Sequence, residues 1–315
     1  MSLNAPASAI DPKTVEDAAA LLRAGQLCAF PTETVYGLGA DATDSDAVLS
    51  IYEAKGRPRF NPLIIHCSDL AMAETLAEFS PLARTLAKAF WPGPLTLVLP
   101  KRTGVALSDI TTAGLSSVAL RVPAHPLALE LIAVVGKPLA APSANPSGRL
   151  SPTSASQVRL GFAGRVPVLD GGPCSAGVES TIISVAGDTL TQLRAGALSR
   201  EEIEALVGQQ VLDPAKDAAI TAPGMLLSHY APNALIRLNA DAANPGEAML
   251  GFGKVSGTIN LSPSGDLHEA ARNLFAMLNQ LDETGIRAIA VAPIPLDGLG
   301  EAINDRLERA AAPRG

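Results

Sequence analysis

The sequence is poor in the residues that most often betray a function. Three cysteines stand in 315 residues, Cys28, Cys67 and Cys174, unevenly spaced and without a CxxC pair. That usage argues against both a disulfide framework and a zinc site. Aromatic residues make up only 3% and the net charge is -7. A general nucleic-acid binder shows a basic footprint, and single-strand binders add aromatic stacking platforms, so no strong direct nucleic-acid binding is expected. No apolar run reaches the length that spans a bilayer. The opening MSLNAPASAIDPK has neither a basic start nor an apolar h-region, so no secretory signal is read and a cytoplasmic protein is expected. No GxxxxGK[ST] occurs, which removes a Walker-type phosphate loop. Gly37 to Ala42 fits only the relaxed pattern GxGxxA, set apart from the preceding strand by PTETVY and followed by no immediate helix. Its glycines are read as allowing close backbone approach in a turn.

What the chain does have is concentrated between Pro31 and Asn61. Pro31-Thr32-Glu33-Thr34-Val35-Tyr36 follows the apolar run Leu27 to Phe30, and Lys55-Gly56-Arg57-Pro58-Arg59 packs three cations into five positions. Between them Ala47, Val48, Ile51, Tyr52 and Ala54 have the spacing of a short amphipathic helix over 45–54. One helix thus separates hydroxyls and a carboxylate at a strand end from a stiff cationic loop. That pairing suits a small polar molecule at one end and an anion, such as phosphate, at the other.

Helices are expected from Thr14, with Thr14 to Asp17 approximating a capping box and Gly25 ending it, over 70–79, over 81–90 and over 126–135. Strands are expected over 26–30, 62–67, 95–100, 116–122, 166–170, 179–183 and 190–194. In Ser116 to Val122, alternation places Ser117, Ala119 and Arg121 on one face. An inward Arg121 needs an anionic partner, because an unpaired buried charge is expensive; a structural Asp or Glu and a substrate carboxylate both qualify. Trp91, beside the turn Trp91-Pro92-Gly93-Pro94, reads as a core anchor. Ala141-Pro142-Ser143-Ala144-Asn145-Pro146-Ser147-Gly148 is a stiff loop rich in donors and acceptors. Prolines and glycine then punctuate 208–232, which reads as a linker, yet Met225-Leu226-Leu227 implies docking against something. Beyond it, strands over 234–238, 248–252, 258–261 and 287–292 alternate with helices over 267–281 and 299–310. Gly251-Phe252-Gly253 reads as a tight turn there.

PTETVYGLGADA, KGRP…NPL and APSANPSG, in that order, resemble the YrdC-like family of L-threonylcarbamoyl-AMP synthases over roughly residues 13 to 212. The tail containing PGMLLSHYAP resembles the longer, two-domain members. The resemblance implies an α/β fold (mixed α+β): a twisted mixed-sheet YrdC-like domain followed by a small open α/β Rossmann-like domain. The expected division is a disordered leader 1–12, a catalytic domain 13–212, a linker 213–232 docking over the active site, and a C-terminal domain 233–315. The implied reaction makes threonylcarbamoyl-AMP and pyrophosphate from L-threonine, bicarbonate or CO2, and ATP, for N6-threonylcarbamoyladenosine in tRNA.

Carried over residue by residue, the resemblance implies that Lys55 and Arg57 are catalytic and meet the phosphates, with Arg194 closing from another strand. Asn61, Ser117, Ser143, Asn145, Ser151 and Tyr230 orient ATP. Thr34, His66, Arg121, Ala141 and Ser180 hold L-threonine, Arg121 taking the carboxylate through two parallel hydrogen bonds. His229 joins Tyr230 as a candidate. Longer members commonly carry Thr where this chain has Ser117, which keeps the hydroxyl. Mg2+ is expected to come with ATP, held by phosphate oxygens and water, and the product is expected to pass to the transferase that modifies tRNA. Two competing readings are a related carbamoyl-adenylate-forming enzyme, whose zinc-finger-like cysteine motifs are missing here, and an RNA-binding module with a cationic groove.

Overall fold

The computed structural model describes residues 9–215, 222–223 and 230–313. Helix α1 (Val15–Arg23) starts where Thr14 accepts from the Asp17 amide and Asp17 answers the Thr14 amide, a complete capping box. Gly25, at φ +73°, turns the chain out of it. Strand β1 (Cys28–Phe30) then pairs antiparallel with β2 (Gly37–Asp41). The turn expected at Gly37 to Ala42 is therefore a strand. Its glycine does allow a close approach, since a Cβ at Gly39 would stand 2.7 Å from the Phe30 ring.

Asp44 caps α2 (Ser45–Lys55) by accepting from the amides of Asp46 and Ala47, and left-handed Gly56 stops it. That stop leaves Lys55 on the last turn, where a cation complements the helix dipole. The remaining strands are β3 (Ile64–His66), β4 (Leu95–Pro100), β5 (Ser117–Arg121), β6 (Leu139–Ala140), β7 (Thr181–Ala186) and β8 (Thr189–Arg194). They join in the order β1-β2-β6-β3-β5-β4-β7-β8. β3/β5 and β4/β7 are parallel and the other pairings antiparallel, so the sheet is mixed as expected. His66 and Arg121 are register partners in the middle of this sheet. Helices α3 (Leu70–Leu76), α4 (Pro81–Phe90) and α5 (Pro126–Val135) pack apolar faces on it, and Ser154 caps α6 (Ala155–Gly161). Trp91 anchors its turn as expected, donating to the Leu95 carbonyl at 2.7 Å and packing edge-on to Phe79.

The strand expected over 166–170 does not form. Ala29 bonds to Pro167 and Leu169, but the Val168 amide goes to the Asp11 side chain at 2.9 Å, and Pro167 has no amide to extend a ladder. The same contact bears on the expected leader 1–12. Asp11 also pairs with Arg159 at 2.8 Å, and the Ala9 amide donates to Gly164, so residues 9–12 are fixed to the domain.

Helix α7 (Arg200–Val207), which the sequence reading leaves out, opens on a Ser199/Glu202 capping box. The C-terminal unit is a parallel sheet in the order β11-β10-β12-β9, from β9 (Leu235–Arg237), β10 (Glu247–Gly251), β11 (Ile259–Asn260) and β12 (Ala288–Val291). Helices α8 (Leu267–Glu283) and α9 (Leu299–Ala311) pack on it through Leu274, Phe275, Leu278, Ile303 and Leu307. Gly253, at φ +55°, makes the expected turn after β10. The two units share one core: Val35, Leu150 and Val178 of the first are buried among the apolar residues of the second. Among the described residues no helix is long and apolar enough to cross a membrane.

Candidate active site

The mixed sheet brings its polar residues to one cavity between the end of β3, the adjacent β5, the start of β7 and the loop after β6. Thr34, His66, Arg121, Ala141 and Ser180 all line it, which is every residue proposed for threonine. Of the residues proposed for ATP, Arg57, Ser143, Arg194 and Tyr230 line it as well. Its free volume is about 40 Å3, room for a few waters.

Arg121 is held on three sides. Its Nε donates to the Gly93 carbonyl at 3.2 Å, Nη1 to Thr34 Oγ1 at 2.9 Å, and Nη2 stands 2.7 Å from Glu33 Oε1. The anionic partner that the alternation of β5 demanded is therefore present in the chain as Glu33. The Arg121–Glu33 contact is close but off the hydrogen-bonding direction, and neither Glu33 oxygen has a hydrogen-bond partner. Next to Arg121, His66 lies edge-on to Phe30 with its Nδ1 unpartnered. Burial first, and the Arg121 charge second, push its pKa down to about 3, so the imidazole is neutral at physiological pH. Ser180 shares a hydrogen bond of 2.8 Å with Thr96 and accepts from Arg194 Nη2 at 3.1 Å.

Three guanidinium groups, Arg57, Arg121 and Arg194, face one small volume. Arg57 is steadied by the carbonyls of Asn61 and Pro62 at 3.2 and 2.9 Å, and burial lowers its pKa to about 10, still charged at pH 7. Arg194 donates through Nε and Nη2 to the Ser180 carbonyl. Preorganised guanidinium donors converging in this way are suited to an anion. Thr34, Arg121 and Ser180 arrive from three separate places in the chain, held by neighbours in one sheet.

The other candidates are placed differently. Lys55 is buried outside the cavity, its ammonium donating to the carbonyls of Ser143 and Asn145 at 2.6 and 2.5 Å. Burial and Arg57 press its pKa well below the ordinary lysine value. Lys55 thus meets the Ser143-Ala144-Asn145 loop by clamping its backbone. Asn145 donates to the Pro146 and Arg149 carbonyls and lines a neighbouring groove of about 530 Å3, facing Asn279 and Asp282 of α8. Asn61 is buried behind Arg57, with its Oδ1 unpartnered. Ser151 is buried beside the cavity and donates to Glu179 Oε1. Ser117 lies four residues before Arg121 on the same face, about 13 Å along β5. Ala222 packs on Ile64, Val98, Ala119 and Ile182 and covers the face between. His229 lies outside the described residues.

Glu33, Glu179 and Ala222 are functional neighbours that sequence reasoning missed. The first stands in the quoted PTETVY, and its signal was Arg121's need for a counter-charge. The others touch the site only through long-range contacts.

The family model described as "Telomere recombination" matches residues 20–196, and the one described as "Threonylcarbamoyl-AMP synthase, C-terminal domain" matches 198–312. The threonylcarbamoyl-AMP synthase of Bacillus subtilis is 42% identical, covering 96% of this chain and 94% of its own. That of Pyrococcus abyssi is 43% identical, covering 97% and 96%. The crystal structure of P. abyssi Sua5 complexed with L-threonine superposes with a TM-score of 0.86 at 41% identity, over 94% of each chain. Escherichia coli YciO, at 22% identity and a TM-score of 0.53 over 58% of this chain and 88% of its own, shares the fold of the first unit. With a sheet, a cavity and relatives that agree along nearly its whole length, the chain belongs to the threonylcarbamoyl-AMP synthase family, in its two-domain form.

Proposed function

We propose that the chain makes threonylcarbamoyl-AMP and pyrophosphate from L-threonine, bicarbonate or CO2, and ATP, supplying N6-threonylcarbamoyladenosine formation in tRNA. One observation carries the reading. A buried arginine with hydroxyls around it, Arg121 with Thr34 and Ser180, shares a cavity with two further guanidinium groups, Arg57 and Arg194. An amino acid and a polyphosphate are the pair of ligands that such a cavity takes.

The chemistry asks for two steps. The threonine ammonium loses a proton to solvent, and its amine adds CO2 and gives up a second proton to solvent to form a carbamate. A carbamate oxygen then attacks the α-phosphorus of ATP, and pyrophosphate leaves with the electrons of the broken P–O bond. Neither step needs a covalent enzyme intermediate, so holding two anions in line and offsetting phosphate charge supplies the rate. Arg121 takes the threonine carboxylate, and neutral His66, its Nδ1 unpartnered, offers a hydrogen-bond partner for the side-chain hydroxyl or the amine. Arg57 and Arg194 face the phosphates, and Lys55 keeps the Ser143 loop in place. Mg2+ comes with ATP on phosphate oxygens. Glu179, the carboxylate in the lining, is taken up by Arg306 and Ser151, which fits a metal held by substrate.

Pro223 and Tyr230 line the cavity and Ala222 covers the face toward Ser117, which supports reading 213–232 as a linker docked across the site. A triphosphate reaching Ser117 displaces Ala222. Hand-over to a tRNA-modifying transferase and a cytoplasmic location complete the proposal.

The test is pyrophosphate release from ATP, with and without threonine and bicarbonate, repeated with serine. Release that needs both co-substrates supports the reading. Salt-sensitive retention of tRNA without any pyrophosphate release overturns it in favour of RNA binding.

A further inference from the structure

Arg306, on α9 of the C-terminal unit, has a side chain with no exposed surface. Its Nε donates to Glu179 Oε2 at 2.8 Å, Nη2 to the Ala195 carbonyl at 2.8 Å, and Nη1 to Asp305. The guanidinium also stands 5.1 Å from the centre of the Tyr230 ring, within cation–π range. Both of those partners, Glu179 and Tyr230, line the cavity. Among the described residues Glu179 is the one carboxylate in that lining.

A carboxylate there is out of place in a site for polyphosphate. It repels the ligand, and it competes for Arg194, whose guanidinium feels its charge. Arg306 answers both problems. Burial works against the charge of Glu179, yet Arg306 foremost, then Arg194 and the Ser151 hydroxyl, hold its pKa at about 2. The carboxylate's two oxygens are thereby divided, one to Ser151 and one to Arg306. Arg194 makes its own hydrogen bonds to Ser180 instead.

We infer that Arg306 is a positioning residue for the nucleotide subsite: by neutralising Glu179 from the second unit, it leaves Arg194 available to the phosphates of ATP. The second unit is then part of the site's electrostatics, and Glu179 is the relay between them. This inference rests on the reading of the cavity as an ATP and threonine site.

The experiment uses the full chain and reads KM for ATP and KM for threonine separately, alongside urea unfolding. The unaltered protein tests the underlying reading; the variants test only the inference. Arg306→Met strands a buried carboxylate, and KM for ATP is expected to rise about tenfold or more, while KM for threonine stays within about threefold. Neutralising the pair together, Glu179→Gln with Arg306→Met, is expected to bring KM for ATP back to within about threefold of the starting value. If Arg306→Met does not fold, the double variant decides alone. A double variant that is folded but still binds ATP about tenfold weaker, one that itself fails to fold, or a single variant that shifts both KM values equally, makes the pair a purely structural one and overturns the inference.

Discussion

The ammonium of Lys55 lies 2.6 Å from the carbonyl oxygen of Ser143, and it donates equally closely to Asn145. A lysine that the motif alone suggests is a phosphate ligand thus holds a loop by its backbone. Lys55→Met removes the donor from two buried carbonyls and is expected to cost about 3 kcal/mol in urea unfolding. Activity is expected to fall in step with the loop's disorder. Full stability with lost pyrophosphate release would give Lys55 a direct role in the chemistry instead.

Arg121 offers a sharper separation of substrates. Lysine keeps the charge there but loses the fork that reaches Gly93 and Thr34 while facing the cavity. Arg121→Lys is expected to raise KM for threonine about 100-fold, with KM for ATP within about threefold. Equal loss of both would mean that the substitution distorts the sheet around His66.

Acid should unfold the protein through two named groups. His66 has its folded pKa at about 3, below the ordinary 6.5, so the unfolded chain binds the proton that the folded one refuses. Its contribution is present above pH 6.5 and is lost as pH falls toward 3, on the order of 5 kcal/mol in all. Glu179, lowered from 4.5 to about 2, adds a second loss below pH 4.5. A His66→Gln variant is expected to show a flatter stability curve between pH 6.5 and 4. An unchanged slope in denaturant titrations at several pH values would refute the assignment.

Gly196 sits where the site has no slack. A Cβ there would come within 2.3 Å of the Thr181 amide nitrogen and 2.4 Å of the Glu179 carbonyl, both main-chain atoms. Gly196→Ala therefore moves the segment that carries Glu179 and Ser180, at a cost of about 3 kcal/mol or more. Gly148→Ala, at φ +80° but with nothing near its Cβ, is the control and is expected to cost about 1 kcal/mol. Thermal unfolding of the pair should rank them in that order.

These positions also show how far residues alone could be read. Arg121 was legible because alternation on a short strand fixed its direction, and burial of a charge fixed its need for a partner. The helices over 81–90 and 126–135 were legible because proline opens each one and the apolar spacing is regular. The clamp that Lys55 makes on the Ser143 loop was not legible, since three cations in five positions look alike until packing buries Lys55 and Arg57 and leaves Arg59 exposed. The segment over 166–170 looked like a strand, but whether its amides find a ladder depends on Asp11, which competes for Val168 from 157 residues away. Glu179 and Arg306 are 127 residues apart, and no local pattern announces such a pair.

The order in which these parts are made has its own consequence. Thr34, Lys55, Arg121 and Arg194 precede Tyr230 and Arg306 in the chain, and proteins are synthesised from the amino terminus. A ribosome-bound intermediate can close its large sheet once Arg194 emerges, yet it then carries Glu179 with its counter-ion still untranslated. On the inference drawn for Arg306, a partial translation product has poor use for ATP, and the nucleotide subsite matures only when the last helix has been made.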